Sequence, residues 1–462
     1  MSETPLRAMV LLVMVLGCSV VPSVEADASP NGAGDQLWAA RYNGTQAGCP
    51  LFCWDDAYSV AASPDGSRVF VTGDSVGTGT LADFATLAYD AVTGATLWTQ
   101  RYDGGQDDYG TALVASPDGR SVFVTGLSDG PTGNPDFAIL AYDSVSGSRR
   151  WVARFGGPSD AWDVPEALGV SVDGSRVFVT GYSSSPHGDD FATVAYDATT
   201  GAQLWVRRYD GPRHGQDDAQ ALAVDPDGSR IFVTGNSEGG GGDYLTLAYD
   251  AVTGSTLWRA RIGARNPVDL PASLVASPDG STVFVTGQTA SRNRNSDYGT
   301  VAYDAATGAE LWRRRWSGSG FDDAVGVVAA PDGSRIFVAG LSYVPGGGSD
   351  FGTVAADPAT GAILWRQRDE MGVGKALVVS PDSSMVFVTG AGPGPGADDY
   401  VTVAYDSRTG LRRWASHYDE GNSTDDPDAI AISPDGAIVY VTGRSYDQVT
   451  GWDFASVAYA TA

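Results

Sequence analysis

The stretch AYDAVTGATLW, residues 88 to 98, returns as AYDATTGAQLW at 195 to 205 and as AYDAATGAELW at 302 to 312. A phrase that recurs in register marks a structural unit, and the unit has to be delimited before any residue in it is given a role. A second phrase, FVTG or a close variant, ends in Gly73, Gly126, Gly181, Gly235, Gly287, Gly340, Gly390 and Gly443. Successive glycines are 53, 55, 54, 52, 53, 50 and 53 residues apart. The chain therefore holds eight units, each long enough for four short strands with their turns.

Residues 218 to 261 show how one unit reads. The strand DAQALAV ends in the turn Asp225-Pro226-Asp227-Gly228, and SRIFVTG follows. Proline presets such a turn and glycine accepts the positive φ after it. A glycine-rich loop leads to DYLTLAYD, the turn AVTG follows, and STLWRAR closes the unit. Helical periodicity is absent, so the unit is a four-stranded β-meander and the fold an all-β propeller. The two ends settle the closure. DQLWAARY, from residue 35, matches a fourth strand without its first three, and the C-terminus has three strands without a fourth. Joining them gives one eight-bladed propeller over 34–462, with no unpaired edge left open.

Written as A-x-D-x-x-T-G-x-x-x-W, the opening phrase ends in Trp98, Trp205, Trp258, Trp312, Trp365 and Trp414, with a serine-bearing copy at Trp151 and the N-terminal strand's Trp38 in the same place. It resembles the tryptophan-docking motif of the pyrroloquinoline-quinone (PQQ) dehydrogenase-like propellers. That resemblance implies that each tryptophan packs between adjacent blades, with the aspartate and threonine bracing the turn. It also implies a quinoprotein activity on an alcohol or sugar, with PQQ and calcium at the channel mouth. The sequence departs from that pattern: quinoprotein alcohol dehydrogenases carry two adjacent cysteines, and this chain has none. The expectation is a non-catalytic member of the family, with no cofactor.

Composition narrows the partners. Among 462 residues the formal net charge is −27, which repels nucleic acid and anionic membrane surfaces and favours cations or a basic partner. Lys375 is the only lysine. Residues 1–26 read as an export signal, with Arg7, an apolar run from Ala8 to Val21, and Val24-Glu25-Ala26 as a cleavage site; 27–33 is a short linker. The apolar run is shorter than the roughly 20 residues that span a bilayer. Val15-Leu16-Gly17-Cys18 offers the alternative of a lipoprotein box with Cys18 lipidated. In an exported chain Cys49 and Cys53 pair as a disulfide that pins a loop. The placement expected is secreted or cell-envelope, as a monomer.

Residues that break the repeat are the functional candidates. The fourth-to-first and second-to-third loops of a propeller share one face, the top. Aspartate doublets stand there before inner strands: Asp55-Asp56, Asp107-Asp108, Asp217-Asp218, Asp322-Asp323 and Asp425-Asp426. They form either a cation-binding mouth or structural groups that cap a loop or pair with the arginines three residues beyond each tryptophan: Arg41, Arg101, Arg154, Arg208, Arg261, Arg315 and Arg368. His417 takes the arginine's place in one blade, where Gly372-Val373 also stand for the doublet. Lys375, two residues on, is a handle for an anion or simply a partner for an aspartate. Trp54, Trp162 and Trp452 flank top loops and suit a glycan or a protein hot spot. His187 and His214 share the top near the third blade, without a third histidine. The functional expectation is an exported scaffolding or binding module. Its alternatives are a PQQ- and calcium-dependent oxidoreductase and a carbohydrate-binding or carbohydrate-active protein.

Overall fold

The computed structural model describes residues 32–462 except 45–53, 78–81, 130–132, 160, 238–241, 264–268, 291–295, 317–319, 344–348, 370–371, 396 and 422. The export segment with Cys18, most of the linker, and the Cys49–Cys53 pair lie outside the described residues. Within them the chain forms eight four-stranded antiparallel sheets. Blade 1 spans 55–102, blade 2 108–155, blade 3 163–209, blade 4 217–262, blade 5 269–316, blade 6 322–369 and blade 7 373–418. Blade 8 takes three strands from 425–460 and its fourth from Gln36–Tyr42, which pairs antiparallel with Gly451–Ala460. The first strands of neighbouring blades contact one another all round the ring and so line its axis.

Position in the blade explains the apolar patterns. The third strand of blade 1, ADFATLAYD, is buried at every position but the last, because sheets pack on both of its faces. Its fourth strand, TLWTQRY, alternates, since one face meets solvent. Each of the eight apolar clusters is shared by two adjacent blades; one joins Trp38 and Tyr440 of blade 8 to Ala57, Val71 and Tyr89 of blade 1. The threonine of FVTG is buried too, and in six blades it meets a third-strand hydroxyl. The Oγ atoms of Thr72 and Thr86 are 3.1 Å apart, and those of Thr286 and Thr300 2.8 Å. Pairing satisfies hydroxyls that would otherwise be costly to bury.

The recurring phrase both supplies a tryptophan and receives one. Trp38 Nε1 donates to the Ala91 carbonyl of blade 1 at 3.1 Å, Trp98 to Ser144 of blade 2 at 3.1 Å, and Trp151 to Ala198 of blade 3 at 3.0 Å. Trp205, Trp258, Trp312 and Trp365 continue the series onto Ala251, Ala305, Pro358 and Ser407, and Trp414 closes it on Thr461 of blade 8. Each indole lies on the motif glycine of the next blade. A Cβ on Gly94, whose φ is +70°, would stand 2.6 Å from the Trp38 ring. Asp90 holds that turn by accepting from Thr93 N at 2.9 Å and Thr93 Oγ1 at 2.8 Å.

The FVTG glycines have a different cause. Opposite each of them the first strand carries a bulge, so the register runs Ala57↔Gly73 and then Ser59↔Thr72, skipping Tyr58. A Cβ on Gly73 would lie 1.9 Å from the Asp56 carbonyl oxygen, and the other seven glycines face the same approach at 1.9–2.2 Å. A bulge inserts one residue and re-aims its side chain.

Candidate functional site

The eight bulge residues are Tyr58, Thr111, Glu166, Gln220, Ala272, Val325, Lys375 and Asp428. Each is less buried than the residue before it, which is buried in all eight blades. No two of them are alike. Around them the blades repeat nearly residue for residue, so the inner ring is where the chain spends its variation.

The carboxylates divide into two sets. Asp55, Asp108, Asp163, Asp217, Asp269, Asp322 and Asp425 open their strands in register with Ser75, Ser128, Ser183, Ser237, Thr289, Ser342 and Ser445. All seven are buried. They fasten the incoming loop: Gly44 N donates to Asp55 at 2.9 Å, Gly157 N to Asp163 at 2.6 Å, Gly211 N to Asp217 at 2.6 Å and Glu420 N to Asp425 at 3.0 Å. This set lies inside the blades rather than around an open mouth. Asp163 and Asp269 belong to it although no second aspartate follows them. Asp107 does not: it precedes the strand and accepts Ala82 N of blade 1 at 3.2 Å.

The repeat arginines differ from the expected pairing as well. Arg41, Arg101, Arg154, Arg208, Arg261, Arg315 and Arg368 reach third-strand aspartates, namely Asp453, Asp83, Asp136, Asp190, Asp243, Asp297 and Asp350, at 2.6–3.5 Å. A fourth-strand side chain at this height lies over the neighbouring third strand, so the nearer carboxylate wins. Arg368 also approaches a doublet member, Asp322, at 4.0 Å.

The second doublet positions tie blades together. Asp323 of blade 6 accepts from Ser296 Oγ of blade 5 at 2.8 Å. Lys375 Nζ of blade 7 lies 3.3 Å from Asp426 and 3.7 Å from Asp428 of blade 8. Arg444 bridges Asp426 and Asp56 of blade 1 at 3.3 Å each. Tyr58 OH faces Asp56 at 3.5 Å. Asp218 is exposed less than its neighbour Gln220 and stands near Glu166 of blade 3. Across blades 7, 8 and 1 the mouth thus gathers four carboxylates, Asp56, Asp74, Asp426 and Asp428, about two cations.

Such crowding moves the acids. Burial pushes Asp74 up to about 7, with Asp56 adding to it, and pushes Asp428 up to about 6 against the pull of Lys375. The channel wall desolvates Glu166 and raises it to about 7, with Asp218 adding to it. Burial likewise raises Asp55 to about 6, although Ser75 and Gly44 oppose it. These groups hold protons more tightly in the folded chain than in the unfolded one. Their contribution is therefore greatest at low pH, and stability falls as pH rises from the ordinary carboxylate range through about 7. Turn aspartates such as Asp65 and Asp173, lowered to about 2 by serine hydroxyls and backbone N–H groups, act oppositely, and only as the pH drops below about 4. The melting temperature is expected to rise as pH is lowered from about 7.5 to about 5. Asp74→Asn should flatten that slope; a protein more stable at pH 7.5 than at pH 5 would contradict the assignment.

An aromatic patch adjoins the acidic arc. Trp54 and Trp452 form a parallel β-bridge across the ring closure. The Arg444 guanidinium lies 4.7 Å from the Trp452 ring centroid, and Tyr446 meets that ring edge-on at 5.4 Å. Trp54 is 53% exposed and Val449, in the turn between Asp447 and Gly451 that leads to Trp452, 92%. The closure so brings Trp54, Trp452, Lys375 and Arg444 onto one arc. Trp162, 56% exposed, stands apart in the loop leading into blade 3. The His187 and His214 rings are 5.9 Å apart, with His214 Nδ1 2.5 Å from Asp210. Arg444, Tyr446, Asp74 and the bulge ring were not singled out from sequence. Their one signal was the hypervariable position after each small first-strand residue.

The chain matches the family model described as outer membrane protein assembly factor BamB, of PQQ-like repeats, over residues 26–276 and 297–456. It belongs to this PQQ-like propeller family. No curated protein matches the sequence significantly. Among solved structures it is similar to the Dos1 propeller, at 13% identity and a TM-score of 0.57, covering 89% of this chain and 95% of that one. It is also similar to the Cps50 (Swd1) β-propeller domain of Myceliophteria thermophila, at 11% identity and a TM-score of 0.47, covering 79% and 98%. Identities this low speak for the fold alone. Among the described residues no helix is long and apolar enough to cross a membrane.

The described arc over blades 7, 8 and 1 does not suit the cofactor for which the family is named. PQQ is a tricarboxylate and needs cations to receive it. The cations of the described arc, Lys375 and Arg444, each already bridge two carboxylates there. Another anion would add like charge to four acids.

Proposed function

We propose that the protein is an exported, non-catalytic binding module whose top face, over blades 8 and 1, receives a basic segment of a protein partner in the envelope or extracellular space. The observation that carries this reading is the pairing of an exposed aromatic patch with the four-carboxylate arc at one point of the rim. Trp54, Trp452 and Tyr446 supply rigid apolar area, which makes hot spots at little entropic cost. Asp56, Asp426 and Asp428 supply the negative potential that steers and selects a basic chain. The net charge of −27 extends that attraction over the whole molecule. The reading of residues 1–26 as an export signal and the family's description as an outer membrane assembly factor both support the placement.

The test is site-specific photocross-linking from the top loop. A photoreactive residue at Val449 is expected to capture a discrete partner in cells that make the protein. The same residue at Val145, 62% exposed in a turn on the opposite face, is expected to capture none. A second reading, glycan binding, draws on the exposure of Trp162 beside that of Trp54. Retention on immobilised glycans that alanine at either tryptophan removes would favour it, and equal retention by the variants would sink it.

A further inference from the structure

We propose that Asp399, Asp419 and Asp425 form a calcium-class cation site at the junction of blades 7 and 8, standing where the repeat elsewhere uses an arginine. The three residues bring carboxylate oxygens within 4.8 Å of one another. The same trio recurs at two other junctions, as Asp83, Asp103 and Asp108, and as Asp190, Asp210 and Asp217. There the third-strand aspartate is neutralised by its own blade, with Arg101 2.8 Å from Asp83 and Arg208 2.8 Å from Asp190.

Blade 7 has lost that arrangement as a unit. His417 stands in register where the arginine belongs, facing Val401 as Arg101 faces Ala85. Gly372 stands where the buried first-strand aspartate belongs, and Gly392 where its serine belongs. Asp399 alone is retained. It is 1% exposed, and its Oδ1 has no hydrogen-bond partner among the described residues. The other seven third-strand aspartates all have a guanidinium within 3.5 Å. A buried, uncompensated carboxylate is costly unless a charge meets it. Gly394 packs directly against that carboxylate: a Cβ there would stand 2.0 Å from both Asp399 oxygens.

The donor set decides the class of ion. Three carboxylates and no thiolate suit a hard divalent cation, and calcium tolerates irregular oxygen shells better than magnesium does. The site lies beside the blade that the N-terminal strand completes. A cation there would join the third strand of blade 7 to the first strand of blade 8, supplying between blades the charge that arginine supplies within the others.

The test titrates calcium chloride into purified, chelator-treated protein, read by calorimetry and by melting temperature. One-site binding is expected, half-saturated at about 0.1–1 mM as in extracellular calcium modules, with a matching rise in melting temperature. Asp399→Asn should lose both. His417→Arg restores the residue that seven blades carry, so it should fold, melt higher without calcium, and no longer respond to it. Asp83→Asn, at an arginine-filled junction, should keep the response. No heat and no shift up to about 10 mM calcium would overturn the proposal. So would a His417→Arg protein that responds as the wild type does, or an Asp83→Asn protein that does not respond.

Discussion

Trp38→Ala is expected to destabilise the protein by about 3–5 kcal/mol, the range for deleting a buried tryptophan. Its ring is 1% exposed and lies between Tyr89 of blade 1 and Tyr440 of blade 8, 6.0 Å from each centroid. It belongs to the single strand that closes the ring, so its loss loosens the attachment of the chain's two ends as well as leaving a cavity. Trp38→Phe should recover most of the area and lose only the indole hydrogen bond, at about 0.5–1.5 kcal/mol, because the Ala91 carbonyl still accepts from Tyr440 OH at 3.3 Å. Urea unfolding midpoints of the two variants separate the terms. Trp54→Ala, in an exposed position, should shift the midpoint by no more than about 0.5 kcal/mol. A Trp38→Ala protein as stable as the Trp54→Ala protein would show that the tryptophans do not hold the blades together.

Gly73→Ala is the second large effect, about 3 kcal/mol, at the upper end of overpacking penalties. The alanine methyl would meet a main-chain oxygen at 1.9 Å, and that oxygen belongs to the bulge that turns Tyr58 toward the axis. No side-chain rotation relieves such a contact. The expected response is a lower unfolding midpoint together with a disturbed channel mouth at Asp56. Wild-type stability would mean that the bulge is not fixed by its glycine.

Much of the ring was legible in the sequence, and the reason is physical. Alternation, turn glycines and a tryptophan every blade are local signals, and each is repeated eight times. The site was legible only in part, because it depends on register. The doublet Asp107-Asp108 looks equivalent to Asp55-Asp56, yet the pairing of Asp108 with Ser128 sets it one residue out of step. The arginines' principal partners went unremarked because Asp83 and its counterparts sit inside strands that read as packing. Gly372-Val373 and His417 were visible as departures. That His417 and Gly372 fall in the blade of buried Asp399, and leave it without the guanidinium its counterparts have, appears only when the strands are paired. The bulge ring was hidden for the same reason: a bulge is a relation between two strands.

The account rests on one division: what repeats builds the ring, and what varies on the top face binds. The measurement that tests it most directly is the cross-link from Val449, repeated in a Trp54→Ala, Trp452→Ala background. The account predicts a discrete adduct in the parent, none from Val145, and loss of the Val449 adduct in the double variant while its melting temperature stays near that of the parent. An adduct that survives both substitutions, or one formed equally from Val145, would contradict it.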